Sequence, residues 1–138
     1  MRIVLDTNVI VPALLNPHGP PGRIIDLVLS GAVIVMFDDR ILAEYRDVLT
    51  RPKLRITPVK SVFLLEFIET EGVLAPAPPL EIALPDPDDL PFVEVAVAGF
   101  ADALVTRNTR HFLPARETLS LPILSPAEFI EFWRSREK

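Results

Sequence analysis

Asp6 follows the apolar run Ile3-Val4-Leu5, and two further acids, Glu44 and Asp89, stand where helical spacing turns them inward. Carboxylates gathered at one place repel one another unless they are protonated or neutralised by a cation. A hard divalent ion is the economical partner: Mg²⁺ needs only a few carboxylates and keeps several waters, and Mn²⁺ takes the same oxygen ligands. An ion held this way activates a water for in-line attack on a phosphodiester and stabilises the charge on the leaving oxygen, alone or with a second ion. Hydrolysis of a phosphate ester is the chemistry that fits.

Each acid also has a plainer reading. Asp6 could simply cap the helix that begins after it. Glu44 falls beside Ile41 and Val48 at the edge of an apolar stripe while Asp47 points away, so it is either an inward carboxylate or a solvated boundary residue. Asp89 shares a helical face with Phe92, Val93, Ala96 and Phe100, whereas Asp88 is turned off that face and suits the cap; both could be caps favoured by the helix dipole. Asn108 follows the apolar run Ala103 to Val105 and Thr106, which puts it at the same sheet end as Asp6. Asp102 precedes that run and belongs at the opposite end as a structural acid.

The elements that would position these residues alternate. Ile3 to Leu5 and Val33 to Phe37 read as strands buried on both faces. Helical spacing predicts helices over Val9–Leu15, Arg23–Leu29, Asp39–Thr50 (broken at Pro52), 59–69, Asp88–Ala98 and Ser125–Arg134, with the segment Asn16 to Gly22 as a break and 76–79 as a loop. Ala103 to Thr106 is a further strand, and Ile123-Leu124 a short apolar run. Strands alternating with helices make βαβ units, hence an α/β fold on a parallel sheet, here of four or five strands, with sites outside the carboxyl ends of the strands.

A chain of 138 residues, 49% hydrophobic and 24% charged, suits one globular domain over residues 1–138 with one core. It has no cysteine, which excludes disulfides, thiolate catalysis and Cys-rich zinc sites and fits a reducing compartment, the cytoplasm by default. The N-terminus reaches an acid too soon for a signal peptide, and no apolar run approaches the roughly twenty residues of a membrane span. A net charge of −5 argues against a protein that coats nucleic acid non-specifically, yet leaves room for a local basic rim.

Four ordered motifs carry a family resemblance: Leu5-Asp6-Thr7-Asn8-Val9-Ile10, Leu42-Ala43-Glu44-Tyr45, Pro85-Asp86-Pro87-Asp88-Asp89-Leu90-Pro91-Phe92 and Ala101-Asp102-Ala103-Leu104-Val105-Thr106-Arg107-Asn108. Together they resemble a PIN-domain protein of the VapC-type toxins of toxin–antitoxin pairs. The resemblance implies a three-layer α/β/α sandwich, a Mg²⁺- or Mn²⁺-dependent endoribonuclease, frequent homodimers and a small antitoxin partner. It makes Asp6, Glu44 and Asp89 the catalytic acids and metal ligands, with Asn8 orienting them. Many members carry Thr-x-Asp where this chain has Thr106-Arg107-Asn108; an amide can coordinate through its oxygen but brings no charge and no general base. Asp86 or Asp88 could compensate.

The basic residues cluster. Arg40, Arg46, Arg51, Lys53, Arg55 and Lys60 outnumber the acids between residues 40 and 60, and Arg107, Arg110, His111 and Arg116 lie beside the proposed site. Arg107, Arg110 and Arg46 are candidate RNA phosphate contacts, against the plainer reading of solvated surface charge. A histidine acid–base mechanism through His18 and His111 lacks any sign of a shared pocket. Aspartyl-phosphate chemistry would recruit a lysine after a strand, and none follows one here. The rival reading from another class is a catalytically weakened PIN domain that binds RNA or protein without cutting.

Overall fold

The apolar run Ile3-Val4-Leu5 forms all but the first residue of β1 (Arg2–Leu5), with each of the three fully buried. A strand without a polar face needs cover on both sides. In a computed structural model of the chain, which describes residues 1–137, β1 is the central strand of a five-stranded parallel sheet. The others are β2 (Ile34–Phe37), β3 (Val73–Leu74), β4 (Ala103–Val105) and β5 (Ile123–Leu124), in the order β3-β2-β1-β4-β5. Register is fixed by Ile3 opposite Val35 on one side and opposite Ala103 on the other.

Helices α1 (Thr7–Leu15), α2 (Pro20–Leu29), α3 (Asp39–Leu49), α4 (Pro58–Glu71), α5 (Leu90–Ala98), α6 (Leu113–Thr118) and α7 (Pro126–Arg136) flank the sheet in a three-layer α/β/α sandwich. Their inward residues, among them Ile10, Ile24, Tyr45, Leu64, Phe92 and Phe129, join the strands in one buried core. Among the described residues no helix is long and apolar enough to cross a membrane.

The boundaries differ from the sequence pattern in instructive places. Helix α2 starts at Pro20 rather than Arg23, because the first helical turn needs no backbone N–H and accepts Pro20 and Pro21. Gly22 permits the close return of the chain there: a Cβ on it would lie 2.2 Å from the Pro17 carbonyl oxygen. Helix α5 starts at Leu90, after a 3₁₀ turn over Pro87–Asp89, rather than at Asp88. Strand β3 and helix α6 are too short to leave a period in the sequence.

Candidate functional site

From β1 the chain lays β2 and β3 outward on one side, then returns to add β4 and β5 on the other. The order therefore reverses between β1 and β4, and the crevice outside their carboxyl ends is where open α/β sheets place ligands. Asp6 leaves β1 there and Thr106 leaves β4. The Asp6 peptide N–H donates to the Val105 carbonyl at 2.9 Å, which fastens the two strand ends together.

Asp6 is buried and serves two neighbours at once. Its Oδ1 accepts the Asn8 backbone N–H at 3.4 Å as the cap of α1, and its Oδ2 accepts the Thr106 hydroxyl at 2.8 Å. The cap reading of Asp6 therefore holds, with its second oxygen turned to Thr106. Thr106 Oγ1 accepts from Asn8 Nδ2 at 3.4 Å and from the Asn108 peptide N–H at 3.1 Å, and Asn8 Oδ1 accepts the Arg107 N–H at 3.1 Å. Asn8 and Thr106 thereby tie both strand ends to the carboxylate.

Glu44 is half-buried on α3 and accepts a hydrogen bond from the Thr7 hydroxyl. Its neighbour Tyr45, fully buried, donates to the Leu5 carbonyl and holds α3 against the end of β1. Asp89 is partly buried at the entrance to α5 and makes no cap hydrogen bond. The capping role expected of Asp88 falls instead to Asp86, whose Oδ1 accepts the Asp88 N–H at 2.9 Å; the side chain that reaches back over the 3₁₀ turn must precede it.

The charges of these groups act on one another. Burial raises the pKa of Asp6, opposed by the hydrogen bonds from Thr106, Asn8 and Thr7. Burial raises Glu44 against the Thr7 bond, and the negative charges of Asp6, Asp88 and Asp86 raise it further. Asp89 is pushed up to about 6, first by burial and then by the charges of Asp6 and Asp86, with His111 pulling the other way. Five acids and His111 therefore share one electrostatic neighbourhood.

Among the described residues no Lys or Arg forms an ion pair with Asp6, Glu44, Asp86, Asp88 or Asp89. Uncompensated carboxylate oxygens, partly desolvated, are the donor type a hard divalent cation takes. As placed, no three acidic or histidine side chains among the described residues stand close enough to enclose an ion. The set fits such an ion by donor chemistry and by charge, with its members apart.

The remaining candidates divide. Arg107, Asn108, Arg110 and His111 are exposed and wall one cavity directly after β4. Arg46 pairs with Glu69 on α4 at 3.5 Å and not with a site carboxylate. Asp102 accepts the Arg2 N–H at 2.8 Å, at the start of β1 and so at the far end of the sheet.

Sequence reasoning missed Glu94. It is 3% exposed on α5, bonded to Arg40 Nη1 at 2.7 Å and to the Leu80 N–H at 2.7 Å; Arg40 also pairs with Asp38, the cap of α3, at 2.7 Å. The one signal was a lone acid in the apolar helix Leu90-Pro-Phe-Val-Glu-Val-Ala-Val-Ala98, which must have a partner.

A pH dependence follows from Asp89. Held at about 6 in the folded chain and near 3.8 when unfolded, it binds more protons folded, so its contribution to stability is present at low pH and is lost as pH rises through 6. The melting temperature of metal-free wild type relative to Asp89→Asn is expected to fall between pH 4.5 and 7. A difference that stays flat or rises over that interval would contradict the placement of Asp89.

A family model described as PIN domain matches residues 2–110. The chain is 29% identical over 142 aligned positions to the uncharacterized protein MJ1680 of Methanocaldococcus jannaschii, covering 95% of this chain and 90% of that one. A solved structure of VapBC2 from Rickettsia felis bound to a DNA fragment from their promoter is similar in fold, with a TM-score of 0.58 at 17% identity over 91% of this chain and 98% of that chain.

Proposed function

The chain belongs to the PIN-domain family, and from that membership we propose that it is a metal-dependent endoribonuclease, the toxin of a toxin–antitoxin pair. The observation that carries this reading is the acidic cluster at the β1/β4 switch, with no ion pair to a Lys or Arg among the described residues. Asp6, Glu44 and Asp89 would hold Mg²⁺ or Mn²⁺ through carboxylate oxygens. When bound, such an ion lowers the pKa of water and stabilises charge on phosphate oxygens.

The chain's own residues do the rest. Thr106 and Asn8 fix the Asp6 carboxylate, and Thr7 fixes Glu44. Asp86 is spent on its turn, which leaves Asp88, exposed and with no hydrogen bond to its side chain among the described residues, as the acid that answers the missing charge at Asn108. Arg107 and Arg110, which wall the cavity directly after β4, bind the phosphates of the RNA strand; Arg46, engaged by Glu69, contributes to approach rather than to the site.

We place the protein in the cytoplasm as a single domain over its length, with a small antitoxin and a second copy of itself as partners. The apolar face of α4 supports a protein partner: Val59, Val62 and Phe63 are 81%, 47% and 57% exposed. The fold likeness to a VapBC complex is in keeping with an antitoxin.

The test is cleavage of a structured RNA pool by metal-free protein before and after Mn²⁺ or Mg²⁺ is added. Cleavage should appear with the ion and stop with a chelator. Asn108 motivates a second reading, an RNA- or protein-binding domain with weakened catalysis. RNA that is bound but left intact in both ions would favour it.

A further inference from the structure

Two cavities flank the switch point, and one residue lines both. The first, about 500 Å³, is walled by Arg107, Asn108, Thr109, Arg110 and His111. The second, about 470 Å³, lies where the ends of α1 and the starts of α2 and α7 meet, between Pro12, Pro20, Pro21, Pro126 and Ala127, with Arg107 at the junction.

We propose that this second cavity is a nucleobase subsite: it takes the base of a nucleotide flanking the scissile phosphate, while Arg107 grips the phosphate between them. The inference rests on the ribonuclease reading above and deepens it.

Its geometric basis is the position of Arg107. The peptide N–H of Arg107 is held by Asn8 Oδ1 at 3.1 Å, Asn8 holds Thr106 at 3.4 Å, and Thr106 donates to Asp6 at 2.8 Å. The residue that separates the cavities is therefore pinned to the leading site carboxylate. Its guanidinium is exposed and has no acidic partner among the described residues.

Charge fixes the path. The acids Asp6, Glu44, Asp86, Asp88 and Asp89 repel a polyanion, while Arg107 and Arg110 attract one, in a chain of net charge −5. A strand drawn to the cationic cavity passes Arg107 and meets the proline-lined one next. The volume lies within the roughly 300–1,000 Å³ of small-ligand sites.

The lining selects a base over a peptide. Four of the lining residues are prolines, which present flat apolar surface and no backbone N–H of their own, so an extended peptide finds few backbone donors there, whereas a base needs only a face to stack on and polar atoms for its edge. Asn16 and Ser125, which also line the cavity, supply those atoms.

The experiment uses the full chain carrying Asp6→Asn, so that RNA is bound and not consumed, with a fluorescent single-stranded oligoribonucleotide and a series of copies with one abasic position. One abasic position should weaken binding about 10-fold, within the roughly 1–3 kcal/mol measured for base stacking on protein side chains. Adding Ala127→Trp, which fills the cavity from the exposed start of α7, should weaken binding of the intact strand about as much and remove the sensitivity to the abasic position. Ala127→Leu should do the same more weakly if the larger variant folds poorly, and the Mn²⁺-induced melting shift of Ala127→Trp in the wild-type background should stay as it is without the substitution.

Independent, additive losses from the abasic position and Ala127→Trp, or no loss from the latter, overturn the subsite and leave the ribonuclease reading in place. If Ala127→Trp spares RNA and instead breaks a complex with a co-purifying small protein, the cavity belongs to that partner and the subsite is overturned. Absence of both RNA binding and metal-dependent cleavage in the wild type defeats the two readings together.

Discussion

Asp6→Asn is expected to lower metal-dependent RNA cleavage by at least about 10³-fold, equivalent to about 4 kcal/mol of barrier, while the protein folds and its metal-free form gains stability. The substitution conserves shape. The single carbonyl oxygen of asparagine can keep the stronger of the two present bonds, that from the Thr106 hydroxyl at 2.8 Å. What is given up is the weaker bond from the Asn8 N–H at 3.4 Å.

The gain comes from repulsion removed, since the charge of Asp6 raises both Glu44 and Asp89. Three readouts should therefore move in different directions: cleavage down, melting temperature without metal up, and the Mn²⁺-induced melting shift sharply reduced. Combining it with Glu44→Gln should raise the metal-free melting temperature further and abolish the shift. Equal Mn²⁺ shifts in wild type and the double variant would show that the ion binds elsewhere.

Why the sequence exposed so much of this arrangement and not the rest has a physical answer. Ile3-Val4-Leu5 and Ala103-Leu104-Val105 are legible because a central parallel strand has no polar face, and Asp6 because it follows such a run at once. Position along a strand also separates Asp102 from Asn108, at opposite ends of the same three residues. Strand β3 is two residues long and takes its identity from pairing with Met36 and Phe37, a tertiary fact that no local pattern carries. Within Asp86-Pro87-Asp88-Asp89 the capping side chain is Asp86 rather than Asp88 because a 3₁₀ turn, not a helix, runs through them, and spacing at 100° per residue does not apply there.

Glu94 is the largest omission and gives the second large effect: Glu94→Ala is expected to destabilise the protein by about 3 kcal/mol, lowering the melting temperature by roughly 10 °C for a chain of this size. The carboxylate joins three parts of the fold. It binds Arg40 at the start of α3, it accepts the Leu80 N–H of the proline-rich segment, and it stands on α5. Removal leaves the Leu80 N–H without its acceptor and opens space beneath α3. The guanidinium keeps Asp38 and is about half exposed, which holds the loss below that of a fully buried pair. Glu94→Gln, which can still accept one of the two bonds, should cost less than half as much.

The same clamp bears on the site, since α3 carries Glu44 and the segment beyond Leu80 leads to Asp86 and Asp89. At a temperature where the variant remains folded, Glu94→Gln should therefore weaken Mn²⁺ binding by about 10-fold, the lower end of what is lost when a group supporting metal ligands is removed. Calorimetric titration with Mn²⁺ separates the two consequences. A variant that loses stability but binds the ion as tightly as wild type would make Glu94 a brace of the fold alone, and one that loses neither would remove the clamp.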